Sequence, residues 1–151
     1  MTTDRDIARN RKAFHDYLIL DKYEAGLQLQ GSEVKSLREG RCNLKDSYAV
    51  VMEGEMYLLN CHISVYEPAA RMNHEPERRR KLLMHRKEID LLFGKVQQKG
   101  LTLIPLRLYW KDGRAKVEIG LCKGKQLHDK RATLKERELK REAESAMGKY
   151  K

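Results

Sequence analysis

The stretch from Leu106 to Leu121 restricts this chain more than any other. Leu106, Leu108 and Trp110 alternate with Arg107 and Tyr109, and Val117, Ile119 and Leu121 alternate with Lys116 and Glu118. A period of two places each apolar set on one face of an extended strand. Asp112-Gly113 lies between the two runs, and that dipeptide tolerates the positive φ angles of a tight hairpin turn. A lone two-stranded hairpin is marginal in water. The rest of the chain must therefore cover its apolar face.

Several further elements are available. Residues 47–53 and 56–63 are β-prone around Glu53-Gly54-Glu55 and predict a second hairpin, with Tyr57, Leu59, Cys61 and Ile63 on one face. Tyr17 to Tyr23 reads as a strand and Leu27 to Leu29 as a short second one, with Gly26 marking a bend or bulge between them. Ser32 is a natural N-cap, Val34 and Leu37 are apolar, and Gly40 stops the run, which predicts a two-turn helix. Ile89, Leu92, Phe93 and Val96 predict a second helix over 88–99, ended by Gly100. The expected fold is mainly β: an OB-like antiparallel barrel with short peripheral helices, spanning 14–126. Residues 1–13 read as a flexible charged lead-in, and 127–151 as a basic tail, disordered when free and helical when bound to RNA.

Charge indicates the partner. The formal net charge is +10 over 151 residues, and a cationic excess of this size favours a polyanion, because each phosphate contact releases a condensed counterion. Two segments concentrate it. One runs from Arg71 to Lys87 and reads as a basic loop whose end is anchored by Leu82, Leu83 and Met84. The other begins at Lys123 and holds ten Lys and Arg against five Asp and Glu. Its apolar stripe, Leu139, Ala143 and Met147, is too thin to hold a helix alone in water.

Enzymatic and membrane classes find little support. No P-loop, G-x-S-x-G or H-E-x-x-H is present. His15-Asp16 is the one tight His–carboxylate pair, and on a strand the two side chains would diverge. His62 reads as structural. Gly120, Lys123, Gly124 and Lys125 form only a weak phosphate-loop signal. Cys42, Cys61 and Cys122 are widely spaced, so neither a disulfide framework nor a metal site is expected. Nothing resembles a membrane span or signal peptide, which places the chain in the cytoplasm, without cofactors. The alternatives to be weighed are a generic structured-RNA or rRNA-binding barrel in ribosome assembly and an RNA-processing enzyme. Single-strand binders use several exposed aromatics, whereas here many of the aromatics fall at apparent core positions.

Blocks of sequence carry a more specific signal. Asn10-Arg-Lys-Ala13, His15-Asp-Tyr17, Glu24-Ala-Gly26, Gly31-Ser-Glu-Val-Lys-Ser-Leu-Arg38, Asp46-Ser-Tyr48, Arg80-Lys-Leu-Leu83, Tyr109-Trp-Lys111, Gly124-Lys125 and His128-Asp-Lys-Arg131 resemble, in order, the blocks of the SmpB family of SsrA-binding proteins. The resemblance covers about Asn10 to Arg141. It implies an OB-like barrel that binds the tRNA-like domain of tmRNA, as a monomer in the complex. It implies indirect dealings with alanyl-tRNA synthetase and with elongation factor Tu and GTP. It also implies a ribosomal partner, with the tail reaching small-subunit rRNA at the decoding centre and the empty mRNA channel.

Residue by residue, the resemblance assigns Asn10, Glu24, Ala25, Gly26 and Leu83 to tmRNA recognition. Lys12, Lys35, Arg38, Arg80, Lys81, Lys123 and Lys125 are expected phosphate contacts. Glu24, which phosphates would repel, is expected to accept from a base edge or to hold a neighbouring basic side chain. Tyr109 and Trp110 are candidates for stacking, with a core role preferred for Trp110. His128, Asp129, Lys130, Arg131, Lys135, Arg137, Lys140 and Arg141 are assigned to the ribosome.

Overall fold

A computed structural model describes residues 5–98 and 100–124. The expected hairpin is there: β8 (Leu101–Lys111) and β9 (Arg114–Gly124), with Asp112 at φ 54° and Gly113 at φ 76° in its turn. Around it the chain adds β1 (Arg5–Arg9), α1 (Arg11–Asp16), β2 (Tyr17–Leu27), α2 (Gly31–Arg38), β3 (Cys42–Asn43), β4 (Tyr48–Met52), β5 (Glu55–Leu59), β6 (His62–Ile63), β7 (Arg80–Leu83) and α3 (Arg86–Val96). Strand pairing runs β8-β4-β5-β7-β2-β9 and returns from β9 to β8, antiparallel throughout. A sheet that closes in this way leaves no free edge among those strands. This is the OB-like barrel expected from the sequence. Its interior holds Met56, Leu58, Leu82, Leu103, Leu108, Val117 and Ile119, none more than 1% exposed.

Five local readings change. Residues 5–9 of the expected lead-in are strand β1, which lies along β8 with Ala8 opposite Leu108, and residues 11–13 open α1. One strand, β2, runs through Gly26 and ends at Leu27, so the short second strand expected over Leu27 to Leu29 does not form, and the bulge of β2 falls between Ile19 and Asp21. The core face of β5 carries Met56 and Leu58 rather than Tyr57 and Leu59; Asn60, at φ 61°, inverts the phase so that Cys61 and Ile63 turn inward. The N-cap of α2 is Gln30, whose N–H donates to Glu33 at 2.7 Å, and Ser32 instead bonds His74. Finally, the end of the basic loop is strand β7, sandwiched between β5 and β2. No helix among the described residues is long and apolar enough to cross a membrane.

Candidate RNA interface

Strand alternation divides the basic segment at β7. Neighbouring side chains on a strand point to opposite faces, so Arg80 and Lys81 part company. Arg80 is fully buried: its Nε donates to Glu33 at 2.6 Å, Nη1 to the Cys61 carbonyl at 2.6 Å and Nη2 to the Pro76 carbonyl at 2.9 Å. Arg78 adds a second guanidinium on Glu33 at 2.7 Å. Burial opposes the charge on Glu33, and the bonds from Arg78, Gln30 and Arg80 outweigh it, holding the carboxyl below its usual range. A guanidinium this enclosed presents no donor at the surface, so the phosphate contact expected of Arg80 is not open to it. His74 belongs to the same interior: its Nε2 faces the Ile63 carbonyl at 2.8 Å and so carries the hydrogen, leaving Nδ1 to accept from Ser32 at 2.8 Å.

Asn10 is also an interior residue. Its Oδ1 accepts from the Ala13 N–H at 3.1 Å and caps α1, while Nδ2 donates to the carbonyls of Pro105 at 2.9 Å and Leu44 at 3.3 Å. With 5% exposure and every polar atom engaged, it pins α1 to β8. Lys12, two residues on, is exposed and paired with Asp46 at 2.9 Å.

Glu24, Gly26 and Leu83 do come together. Gly26 stands opposite Leu83 on one side and Lys116 on the other. A Cβ at Gly26 would lie 3.3 Å from the Leu83 Cβ, so the absent side chain leaves room for Leu83, which is 49% exposed. Beside them is an open cleft of about 440 Å³ lined by Gly26, Leu27, Leu29, Val34, Leu83 and Trp110, with Arg114 and Lys116 also on its wall. Ala25, 1% exposed, faces the core behind it. An apolar floor with cations at the rim suits a splayed base and its flanking phosphates.

The carboxylate of Glu24 is already occupied. It accepts from the Tyr109 hydroxyl at 2.5 Å and from Lys111 Nζ at 3.2 Å. The Tyr109 bond, against some burial, and then Lys111 hold Glu24 below its usual range. Burial first, then the same hydrogen bond, pushes the Tyr109 hydroxyl up. Arg107 lies 4.0 Å over the Tyr109 ring and pairs with Asp6 at 2.6 Å. Glu24 also stands opposite Glu118, a like-charge pair that the surrounding Arg107, Lys111 and Lys116 offset. Of the two roles expected for Glu24, holding a basic neighbour is the one seen. Tyr109, at 3% exposure, is closed to base stacking, whereas Trp110 is half-buried and reaches the cleft.

The remaining expected contacts distribute themselves by element. Lys35 and Arg38 are exposed on α2, whose Val34 forms one wall of the cleft, and Lys35 approaches the Tyr66 ring at 5.7 Å. Lys81 is half-buried beside Glu55 at 3.5 Å. Lys123 stands opposite Leu18, at the other end of the β2–β9 ladder from Gly26, roughly 25 Å away at the usual strand rise. The chain therefore leaves the described region, at Gly124, far from the cleft. Lys125, His128, Asp129, Lys130, Arg131, Lys135, Arg137, Lys140 and Arg141 lie outside the described residues, as does the expected tail.

Sequence reasoning overlooked Arg107, Lys111, Arg114 and Lys116, although each is the polar partner in the alternation of β8 and β9. The weak phosphate-loop signal dissolves: a Cβ on Gly120 would meet Leu106 at 2.8 Å, so this glycine serves packing inside β9. His15 and Asp16 do converge, Nδ1 to Oδ1 at 2.8 Å, because they end a helix rather than lie on a strand. His62 faces Glu77 at 3.5 Å.

The chain is similar to known proteins over nearly its whole length. The chain is 58% identical over 150 residues to an SsrA-binding protein of Sulfurihydrogenibium sp. (strain YO3AOP1), covering 99% of each chain. It is 58% identical over 144 residues to that of Carboxydothermus hydrogenoformans, covering 95% of this chain and 97% of the other. It superposes with a TM-score of 0.69 and 47% identity, covering 84% of this chain and 93% of the other, on a solved chain described as "tmRNA-SmpB: a journey to the center of the bacterial ribosome". Residues 7–149 match the model of the SmpB protein family, and the chain belongs to that family.

Proposed function

We propose that the protein binds the tRNA-like domain of tmRNA and brings it to stalled ribosomes for trans-translation, acting in the cytoplasm as a binding factor without a reaction of its own. One observation carries the molecular reading. Within a member of this family, exposed Leu83 stands against side-chain-free Gly26, beside an apolar cleft rimmed by Arg114 and Lys116. Leu83, Gly26 and Trp110 would form the face that meets RNA bases, with Lys35, Arg38, Arg114 and Lys116 meeting phosphates. Glu24 would act through Lys111, which it holds in place.

The finer steps are proposals of the same kind. Alanyl-tRNA synthetase and elongation factor Tu with GTP would act on the tmRNA rather than on this chain. Residues from His128 onward would reach the decoding centre and the mRNA channel, with one copy of the protein per complex. The test is a binding comparison at matched salt between a tRNA-like tmRNA fragment and single-stranded RNA of equal length. Preference for the folded fragment of tenfold or more supports the reading; equal affinity would leave a generic RNA-binding barrel.

A further inference from the structure

Two cysteines that lie nineteen positions apart meet at the edge of the core. Cys42 Sγ and Cys61 Sγ are 3.8 Å apart. Cys42 opens β3 directly after α2, and Cys61 stands just before β6, the partner of β3. Cys42 pairs with Ile63, so Cys61, two residues earlier on the partner segment, shares its face of the small sheet. The third thiol, Cys122, sits in a separate apolar cluster with Ala13, Ile104 and Leu106.

Exposure differs within the pair. Cys61 is wholly buried and Cys42 is partly open to solvent. Their surroundings differ as well. The hydrogen bond from Cys42, aided by the Arg80 guanidinium and opposed by burial, lowers Cys61; the same contact, together with burial, raises Cys42. Cys122 has no such partner, and burial alone pushes it up to about 11. The three thiols are thus an adjacent pair with one gate to solvent and an isolated, buried third.

We infer that Cys42 and Cys61 form a reversible dithiol–disulfide site that small peroxides oxidise, tying the exit of α2 to the bend between β5 and β6. The proton of Cys42 passes to Cys61 Sγ across the 3.8 Å contact, and the Cys42 thiolate, the member that solvent reaches, attacks one peroxide oxygen; the O–O bond breaks, and the other oxygen leaves as hydroxide, which takes up from solvent the proton that Cys61 had released and becomes water. The Cys42 sulfenic acid then meets Cys61, whose sulfur attacks the Cys42 sulfur. The S–O bond breaks, and hydroxide leaves with the Cys61 proton as a second water. Two thiols are oxidised by two electrons and one peroxide is reduced. The sulfurs need to approach by only about 2 Å to reach bonding distance, within reach of side-chain rotation at a partly open site.

The test uses the full chain and hydrogen peroxide as probe. After exposure, quenching and unfolding, free thiols should fall from three to one. Digestion without reductant should give a single cross-linked pair of peptides, containing Cys42 and Cys61 and lighter by about two mass units than their sum. Dithiothreitol should restore three thiols. Cys42→Ser, checked for a native melting temperature, should retain both of its thiols under the same exposure. The linked protein should melt about 5 °C or more above the reduced one, since the bond closes a loop of moderate length. Retention of three thiols, oxygen adducts on Cys42 without a link, or links involving Cys122 or a second chain would each overturn the site. A linked protein with an unchanged melting temperature would overturn its role as a tie.

Discussion

Among single residues, Glu33 and Arg80 show how charge inside this barrel serves the fold. Both are fully buried, 2.6 Å apart, and Arg80 spends its remaining donors on backbone carbonyls. Removing Glu33 leaves Arg80 uncompensated in the interior, and removing Arg80 leaves Glu33 to Arg78 alone while orphaning the carbonyls of Cys61 and Pro76; either change costs about 3–5 kcal/mol. Arg80→Met should therefore lower stability by about that much in urea unfolding, whereas Lys81→Ala, on the opposite face of β7, should cost about 0.5 kcal/mol or less. The pH dependence has a definite sign. The folded Glu33 carboxyl lies below its ordinary value of 4.5, so its contribution is complete above that value and drains away as pH falls through the folded one. The urea midpoint should drop on acidification below about pH 4.5, and Glu33→Gln, though less stable at neutral pH, should show a shallower decline over the same range. A steeper decline in the variant would contradict the assignment.

Among elements, β7 positions the proposed interface, and it was the least legible in sequence. Arg80-Lys-Leu-Leu83 carries two adjacent cations, and a strand with a fully buried arginine does not advertise itself by alternation. Its pairing with β2 and β5 arises from long-range partners, Gly26 and Leu58 among them, which no local pattern encodes. The β8–β9 hairpin was legible because turn chemistry and period-two patterning agree over residues 106–121. The turn at Glu53-Gly54 was equally clear, but the inward face of β5 was not: one left-handed residue, Asn60, shifts the phase between Leu58 and Cys61. At the candidate site, Glu24, Gly26 and Leu83 were legible only through family resemblance, since nothing local brings β2 and β7 together. Asn10 was visible as a polar residue and not as a buried cap, because its partners Pro105 and Leu44 are distant in sequence. This leads to an exchange of roles. Asn10→Ala should lower the melting temperature by several degrees, consistent with loss of a cap and two buried bonds. Leu83→Asp, at a half-exposed position, should leave the melting temperature within about 2 °C of the parent while weakening the tmRNA fragment about tenfold or more. An unchanged affinity for Leu83→Asp would remove the cleft from the interface.

At the scale of the whole molecule, the β2–β9 ladder separates the cationic rim of the cleft from the point where the described chain ends. Gly26 and Lys116 stand at one end of β2–β9, and Leu18 and Lys123 at the other, where the chain continues toward residues 125–151. A barrel that grips folded RNA at the first end leaves the second free to address another polyanion, and the two contributions should separate under salt. Each phosphate neutralised steepens the fall of log affinity with log salt by a little under one. Replacing Lys35 and Arg38 together by Ala should therefore reduce the slope for the tmRNA fragment by about 1–2, whereas Leu83→Ala should lower affinity at every salt concentration without changing the slope. Ending the chain after Lys130 removes seven Lys and Arg, a loss large enough to flatten the slope by several units if those residues touched the fragment. With the tail directed to the ribosome, the shortened protein should instead keep both the affinity and the slope of the full chain for the isolated fragment, yet fail to support peptide tagging in a reconstituted stalled-ribosome reaction. A flattened slope on the fragment alone would place the tail on the tmRNA surface, and the separation of the two ends would then have no functional counterpart.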